Sequence, residues 1–214
     1  CIGKDAGTAM AAAVPSCVVI GHEAGDAINH ADAGGTIAIG RSAGGAITSG
    51  AGNTAVGYQS LDALTGSGQN TALGYGTLGT LIDGDQNTAV GYNAMTSGTH
   101  TSFNFNTVVG ANAGDAFNAT AAIEHVTVLG ANALGGVLTA GANGTIAIGS
   151  SALGALTSGS GNTAVGFDSG SSNQTGDNNT WVGYEAGKGG SGSEAGNVGI
   201  GHQALTAITN GANN

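Results

Sequence analysis

The sequence predicts an all-β chain, a parallel β-solenoid of about twelve coils of 17–20 residues. Three observations predict it. A branched aliphatic residue stands directly before a glycine twelve times in 214 residues, with a small residue three positions after it. A β-branched residue stands two places before that aliphatic wherever the preceding chain permits the comparison. Gly, Ser, Thr, Asp and Asn fill most of the remainder, with 43 glycines and a single proline.

The marker glycines are Gly3, Gly21, Gly40, Gly57, Gly74, Gly91, Gly110, Gly130, Gly149, Gly166, Gly183 and Gly201. Before them stand Val, Ile or Leu, as in Ile39, Val56, Leu73 and Val90. Two places earlier stand Ile37, Thr54, Thr71 and Thr88. Alternate strand residues share a face, so this pair is expected to point inward. The residue between them (Ala38, Ala55, Ala72, Ala89, but Trp181 once) is expected on the outer face, as a small surface for close packing. The glycine ends the strand where a Cβ would not fit. Helix is disfavoured, because glycine interrupts every apolar stretch and no 3.6-residue period exists. Twelve coils at ~4.8 Å each would make a rod on the order of 58 Å long.

A polar column lies four residues before the marker glycine: Asn53, Asn70, Asn87, Asn106, Asn162, Asn179 and Asn197, with Thr36 and Thr145 as variants. Stacked amides hydrogen-bond along a cross-β stack, which predicts a structural ladder. An aromatic column follows the glycine, with Tyr58, Tyr75 and Tyr92 in successive coils and Phe167 and Tyr184 in the second half. It reads as a packing ladder or as a contact face for sugar or another subunit.

A longer period overlies the coils. Gly35-Thr36-Ile37-Ala38-Ile39-Gly40 recurs as Gly144-Thr145-Ile146-Ala147-Ile148-Gly149. The chain therefore divides into six-coil super-repeats, 1–107 and 108–214, within one continuous solenoid. Joining Asn213-Asn214 to Cys1-Ile2-Gly3 reproduces the strand motif with Asn213 in the ladder column. Two readings stay open: one period of a head-to-tail array, or a segment cut at a repeat boundary.

Composition excludes several classes. The formal net charge is −10, with Lys4, Arg41 and Lys188 the only lysines and arginines, so nucleic-acid phosphate has no basic surface to bind. No apolar run approaches the ~20 residues of a membrane helix, so no membrane insertion is expected in this segment. The five histidines show no H-x-x-x-H spacing and the two cysteines no C-x-x-C, so neither metal nor cofactor is expected. Cys1 and Cys17 fall in different columns roughly 8 Å apart, too far for a disulfide, and are expected as buried free thiols. The acidic turns at Asp83-Gly84-Asp85 and Asp177-Asn178-Asn179 lack the ligand series of a calcium loop. The scattered acids provide no carboxylate pair and the serines no nucleophile elbow, so no enzyme is expected. Ice binding through the Thr54, Thr71 and Thr88 column is set aside because that column also admits Ile and Val, read as inward packing.

The copies Asn53-Thr54-Ala55-Val56-Gly57-Tyr58, Asn87-Thr88-Ala89-Val90-Gly91-Tyr92-Asn93-Ala94-Met95 and Thr36-Ile37-Ala38-Ile39-Gly40 resemble a known group. They look like the S-V-A-I-G head repeats of trimeric autotransporter adhesins. They look still more like the N-T-A-V-G-Y repeats of phage tail fibres and large bacterial surface proteins. The resemblance covers essentially the whole chain. It implies a left-handed β-roll, three chains side by side, on an extracellular structure of a cell surface or virion fibre. The expected function is a structural fibre or adhesin segment whose partner is itself, as a trimer or a head-to-tail filament. The alternative is the glycan- or receptor-binding shaft of a phage fibre or adhesin head. The coils are longer than those of adhesin heads, and stalk heptads and a membrane anchor are missing from the sequence.

Overall fold

The computed structural model describes residues 1–10, 14–96, 103–117, 122–139, 141–189, 192–208 and 213–214. They form a parallel β-solenoid. The strands are β1 (Val18–Ile20), β2 (Ile37–Ile39), β3 (Thr54–Val56), β4 (Thr71–Leu73), β5 (Thr88–Val90), β6 (Phe103–Asn104), β7 (Thr107–Val109), β8 (Ile123–Glu124), β9 (Thr127–Leu129), β10 (Ile146–Ile148), β11 (Thr163–Val165), β12 (Thr180–Val182) and β13 (Val198–Ile200). Eleven of them form one sheet in chain order, with β6 and β8 paired apart as a second, two-stranded sheet. Every neighbour is parallel and in register, as in Thr54↔Thr71, Ala55↔Ala72 and Val56↔Leu73. Ile2 bridges Ile20 ahead of β1. The boundary between 107 and 108 falls inside β7, which pairs β5 on one side and β9 on the other. The two super-repeats therefore share one unbroken sheet. The only helix among the described residues is a 3₁₀ turn, Ala31–Ala33.

Each coil uses the same chemistry to turn. The marker glycine N–H donates to the strand end of the preceding coil, as Gly74 to the Val56 carbonyl at 2.8 Å. The third residue after the glycine donates back to its carbonyl, as Ser60 to Gly57 at 3.4 Å. The second and fourth residues after it are left-handed: Gln59 at φ 51° with Leu61 at 50°, and Asn93 at φ 50° with Met95 at 54°. Non-glycine residues rarely sit there, since each carries a steric cost of roughly 1–2 kcal/mol. Inter-coil bonds hold them: Gln59 N–H donates to the Arg41 carbonyl at 2.9 Å and Leu61 N–H to the Thr77 carbonyl at 3.1 Å.

The strand faces are the reverse of the sequence expectation. The middle residue is buried in all eleven strands of the large sheet, while its neighbours are half-buried or exposed. Ala38, Ala55, Ala72 and Ala89 line the interior; Thr54 and Val56 face out. The physical reason is the narrow bore. Buried side chains such as Ile47, Leu61, Leu64, Leu78 and Leu81 fill it, so the strand position facing them is small, alanine in most coils and valine at Val19, Val108 and Val128.

Trp181 tests that rule. It takes the alanine position and is buried, so the indole lies in the interior and not on the outer face. A Cβ on Gly170 would stand 2.7 Å from its Cδ1, and one on Gly199 would stand 2.9 Å from its Cε3. The indole occupies space that these glycines leave.

The marker glycine is required by backbone approach. At Gly91, φ is +137° and a Cβ would lie 2.5 Å from the Gly110 carbonyl oxygen, an atom that cannot move without unstacking the coils. Gly91→Ala is expected to lower stability by more than about 3 kcal/mol. Gly144→Ala, left-handed at φ +68° but with open space around the added carbon, should cost only about 1 kcal/mol. Chemical denaturation of both variants checks the difference.

Candidate functional site

The coils carry four candidate features, three of them in columns along the stack. The first is the amide ladder. Asn53, Asn70, Asn87, Asn106, Asn162, Asn179 and Asn197 are all buried. Asn53 Oδ1 accepts from Asn70 N–H at 3.0 Å, and Asn70 Oδ1 from Asn87 N–H at 3.0 Å and from Asn87 Nδ2 at 3.0 Å. The chain of bonds continues through Asn106 to Val126 N–H at 3.1 Å, and separately from Asn162 through Asn179 and Asn197 to Asn214. From Asn53 to Asn179 the Nδ2 groups also reach backbone carbonyls, as Asn87 to Phe103 at 2.7 Å and Asn70 to Gly84 at 2.7 Å. These amides are consumed by the structure, and none points to solvent.

The ladder also corrects the register at the chain's ends. Asn214 occupies its last rung, and Asn213 is the left-handed residue before it at φ 61°. A direct join of Asn214 to Cys1 would therefore leave the strand one residue short. The thiols differ from expectation as well. Cys1 is exposed and Cys17 is half-buried, its Sγ donating to the Ala33 carbonyl at 3.5 Å; both are free. Cys1 lies in the outermost coil, where no earlier coil covers it among the described residues.

The second feature is the outer sheet face. It carries two parallel rows, Thr54, Thr71, Thr88, Thr107 and Thr127 beside Val56, Leu73, Val90, Val109 and Leu129. Leu73 and Leu129, well inside the sheet, still expose 47% and 48% of their surface.

The third is aromatic. Tyr58 and Tyr75 stack at 4.9 Å, and Tyr75 and Tyr92 at 5.3 Å, with the Arg41 guanidinium 5.8 Å from the Tyr58 ring centre. Phe167, Tyr184 and His202 form a second stack at 5.5 and 5.3 Å. The bond between the second residue after one glycine and the first residue after the previous one, such as Asn93 N–H to the Tyr75 carbonyl at 2.9 Å, sets each ring over the last.

The fourth feature, two clefts beyond the glycine corner, is not visible in the motif itself. One of about 260 Å³ is lined by Gln59, Asp62, Tyr75, Thr80, Asn93 and Thr96 around Gly76 and Gly79. The other, about 270 Å³, lies among Glu23, Asp26, Ser42, Gly45 and Asp62. Desolvation, with the charge of Glu23 second, raises the Asp62 carboxyl above its ordinary value. In the second half, Lys188 bridges the corresponding columns, 2.7 Å from Asp168 and 2.7 Å from Glu185. Those carboxylates hold the ammonium protonated, well above the usual lysine range.

Among the described residues no group of three His, Cys, Asp or Glu side chains could hold a metal ion, and no helix is long and apolar enough to cross a membrane. No family model, curated protein or solved structure matches the chain. The functional reading therefore rests on the surfaces described above.

Asn87→Ala would strand the Asn106 N–H and the Phe103 carbonyl in the interior, at an expected cost of about 2–4 kcal/mol. Equilibrium unfolding measures it. The raised Asp62 carboxyl has the opposite sign. Its charged form burdens the folded state at neutral pH, and the burden disappears as pH falls through the raised value toward the unfolded one. Asp62→Asn should raise the melting temperature at pH 7 by about a degree, with the gain gone near pH 4.

Proposed function

We propose that the chain is a non-catalytic structural segment of an extracellular fibre or adhesin, built by packing copies of itself face to face. The outer sheet face carries this reading. Ten strand spacings of ~4.8 Å by a strand width of ~10 Å give a flat patch on the order of 500 Å². That is the size of the largest apolar patch on an ordinary soluble protein, a patch that is often functional. Two such faces together bury about 1,000 Å², the lower edge of a specific protein–protein interface. β-Branched side chains are stiff, so the patch loses little rotamer freedom when covered.

A second copy is the occupant that best fits. The rows are in register and free of charge, and an identical set of rows is complementary to them without any partner-specific pocket. Three chains with these faces toward a common axis form the side-by-side trimer implied by the N-T-A-V-G-Y resemblance. The same resemblance supports display on a cell surface or virion. Solenoid stiffness then supplies the mechanical role.

Sedimentation velocity tests this reading with Val56→Lys/Val90→Lys, which puts charges on the patch and leaves the bore untouched. The native chain should be multimeric at about 10 μM, and the variant monomeric with an unchanged circular dichroism spectrum. A monomeric native chain at that concentration would overturn the proposal. The outward orientation of Thr54, Thr71 and Thr88 removes the ground on which ice binding was set aside. Thermal hysteresis from a monomer would replace self-association as the use of this face.

A further inference from the structure

We propose that the two clefts on the first half of the rod form one extended subsite for a neutral oligosaccharide lying along the rod axis. The inference goes beyond self-association and uses a different surface. The outer sheet face ends at the marker glycine, and the clefts begin after it.

The clefts are made by missing side chains. In the coil of Gly74, both outward positions past the corner are glycine, Gly76 and Gly79. The coils on either side carry Gln59 with Asp62, and Asn93 with Thr96, at those same positions. A coil-deep notch of about 260 Å³ remains between them. Two coils away, Ser42 and Gly45 leave the second notch between Glu23 with Asp26 and Gln59 with Asp62. Asp62 lines both. Their centres are two coil steps apart, ~10 Å, so about two linked sugar rings reach from one to the other.

The lining selects the chemistry. No hydrogen bond to another protein group engages the side chains of Gln59, Asp62 or Asn93, although all three border the notch. The two carboxamides offer donors and acceptors, and the carboxylate accepts. This mixture suits hydroxyl groups that both donate and accept, and it disfavours a purely apolar ligand. Tyr75, exposed over 49% of its surface, adds a ring whose faces are covered by Tyr58 and Tyr92, so its edge borders the cleft. Glu23, Asp26 and Asp62 line the trough without a lysine or arginine among its lining residues, which repels acidic sugars. In the coil of Gly183 the same columns are bridged by Lys188, held between Asp168 and Glu185, so that coil carries no such notch.

Isothermal titration of the full chain with cellotriose, xylotriose, mannotriose and triacetylchitotriose, each to about 10 mM, tests the proposal, with trigalacturonate as the acidic comparison. At least one neutral trisaccharide should bind saturably and trigalacturonate should not. The double variant Gly76→Asn/Gly79→Thr fills the notch with the residues that the next coil carries at these positions. It should weaken binding at least about tenfold while the circular dichroism spectrum and oligomeric state stay unchanged. Asp62→Ala should weaken it as well. No saturable binding by any neutral probe, undiminished binding by the filled variant, or equal binding of trigalacturonate would each overturn the proposal. None of these results bears on self-association, which is read from sedimentation.

Discussion

The fold depends on one close approach. At each step along the rod the backbone of one coil passes so near the marker glycine of its neighbour that no side chain fits between them, as at Gly91 against Gly110. That contact fixes the register of every column at once. With register fixed, Asn falls over Asn, alanine over alanine and tyrosine over tyrosine. The buried amide ladder then satisfies backbone groups at a corner where the chain turns away from the sheet, a place where unpaired N–H and carbonyl groups would otherwise be costly.

The register also explains how a chain with few large apolar residues builds a core. The bore is thin, so a methyl group on one wall and a leucine or isoleucine on the other fill it. The largest rings lie where glycine leaves space, as Trp181 against Gly170 and Gly199, and Phe117 against Gly114. The β-branched side chains left over lie on the flat outer face. The same sequence economy thus makes the interior and leaves an apolar surface available for another copy.

Much of this was legible in the sequence. The coil, its strand position, the glycine corner, the Asn ladder and the aromatic stacks all follow from aligning twelve copies. The facing of the strand did not, because β-branched residues are ordinarily read as core. A signal was present: Asn53 and Ala55 have the same parity, and a column of recurring asparagines is best explained by burial. A ladder amide inside requires Ala55 inside and Thr54 and Val56 outside. The left-handed Leu61, Leu78 and Met95 were also hidden, since nothing local marks a leucine for that conformation and inter-coil bonds impose it. The clefts arise from which coils happen to carry glycine at two outward positions, information that column-averaging removes.

The Thr54 and Val56 rows face away from the bore, and in the proposed assembly they meet the same rows of other copies. A cryo-EM map of the assembled chain at side-chain resolution tests it most directly. The expected map shows coils stacked at ~4.8 Å, alanine inside, and subunits joined through the threonine and aliphatic rows. Subunits joined through their turns, with those rows open to solvent, would contradict that assembly.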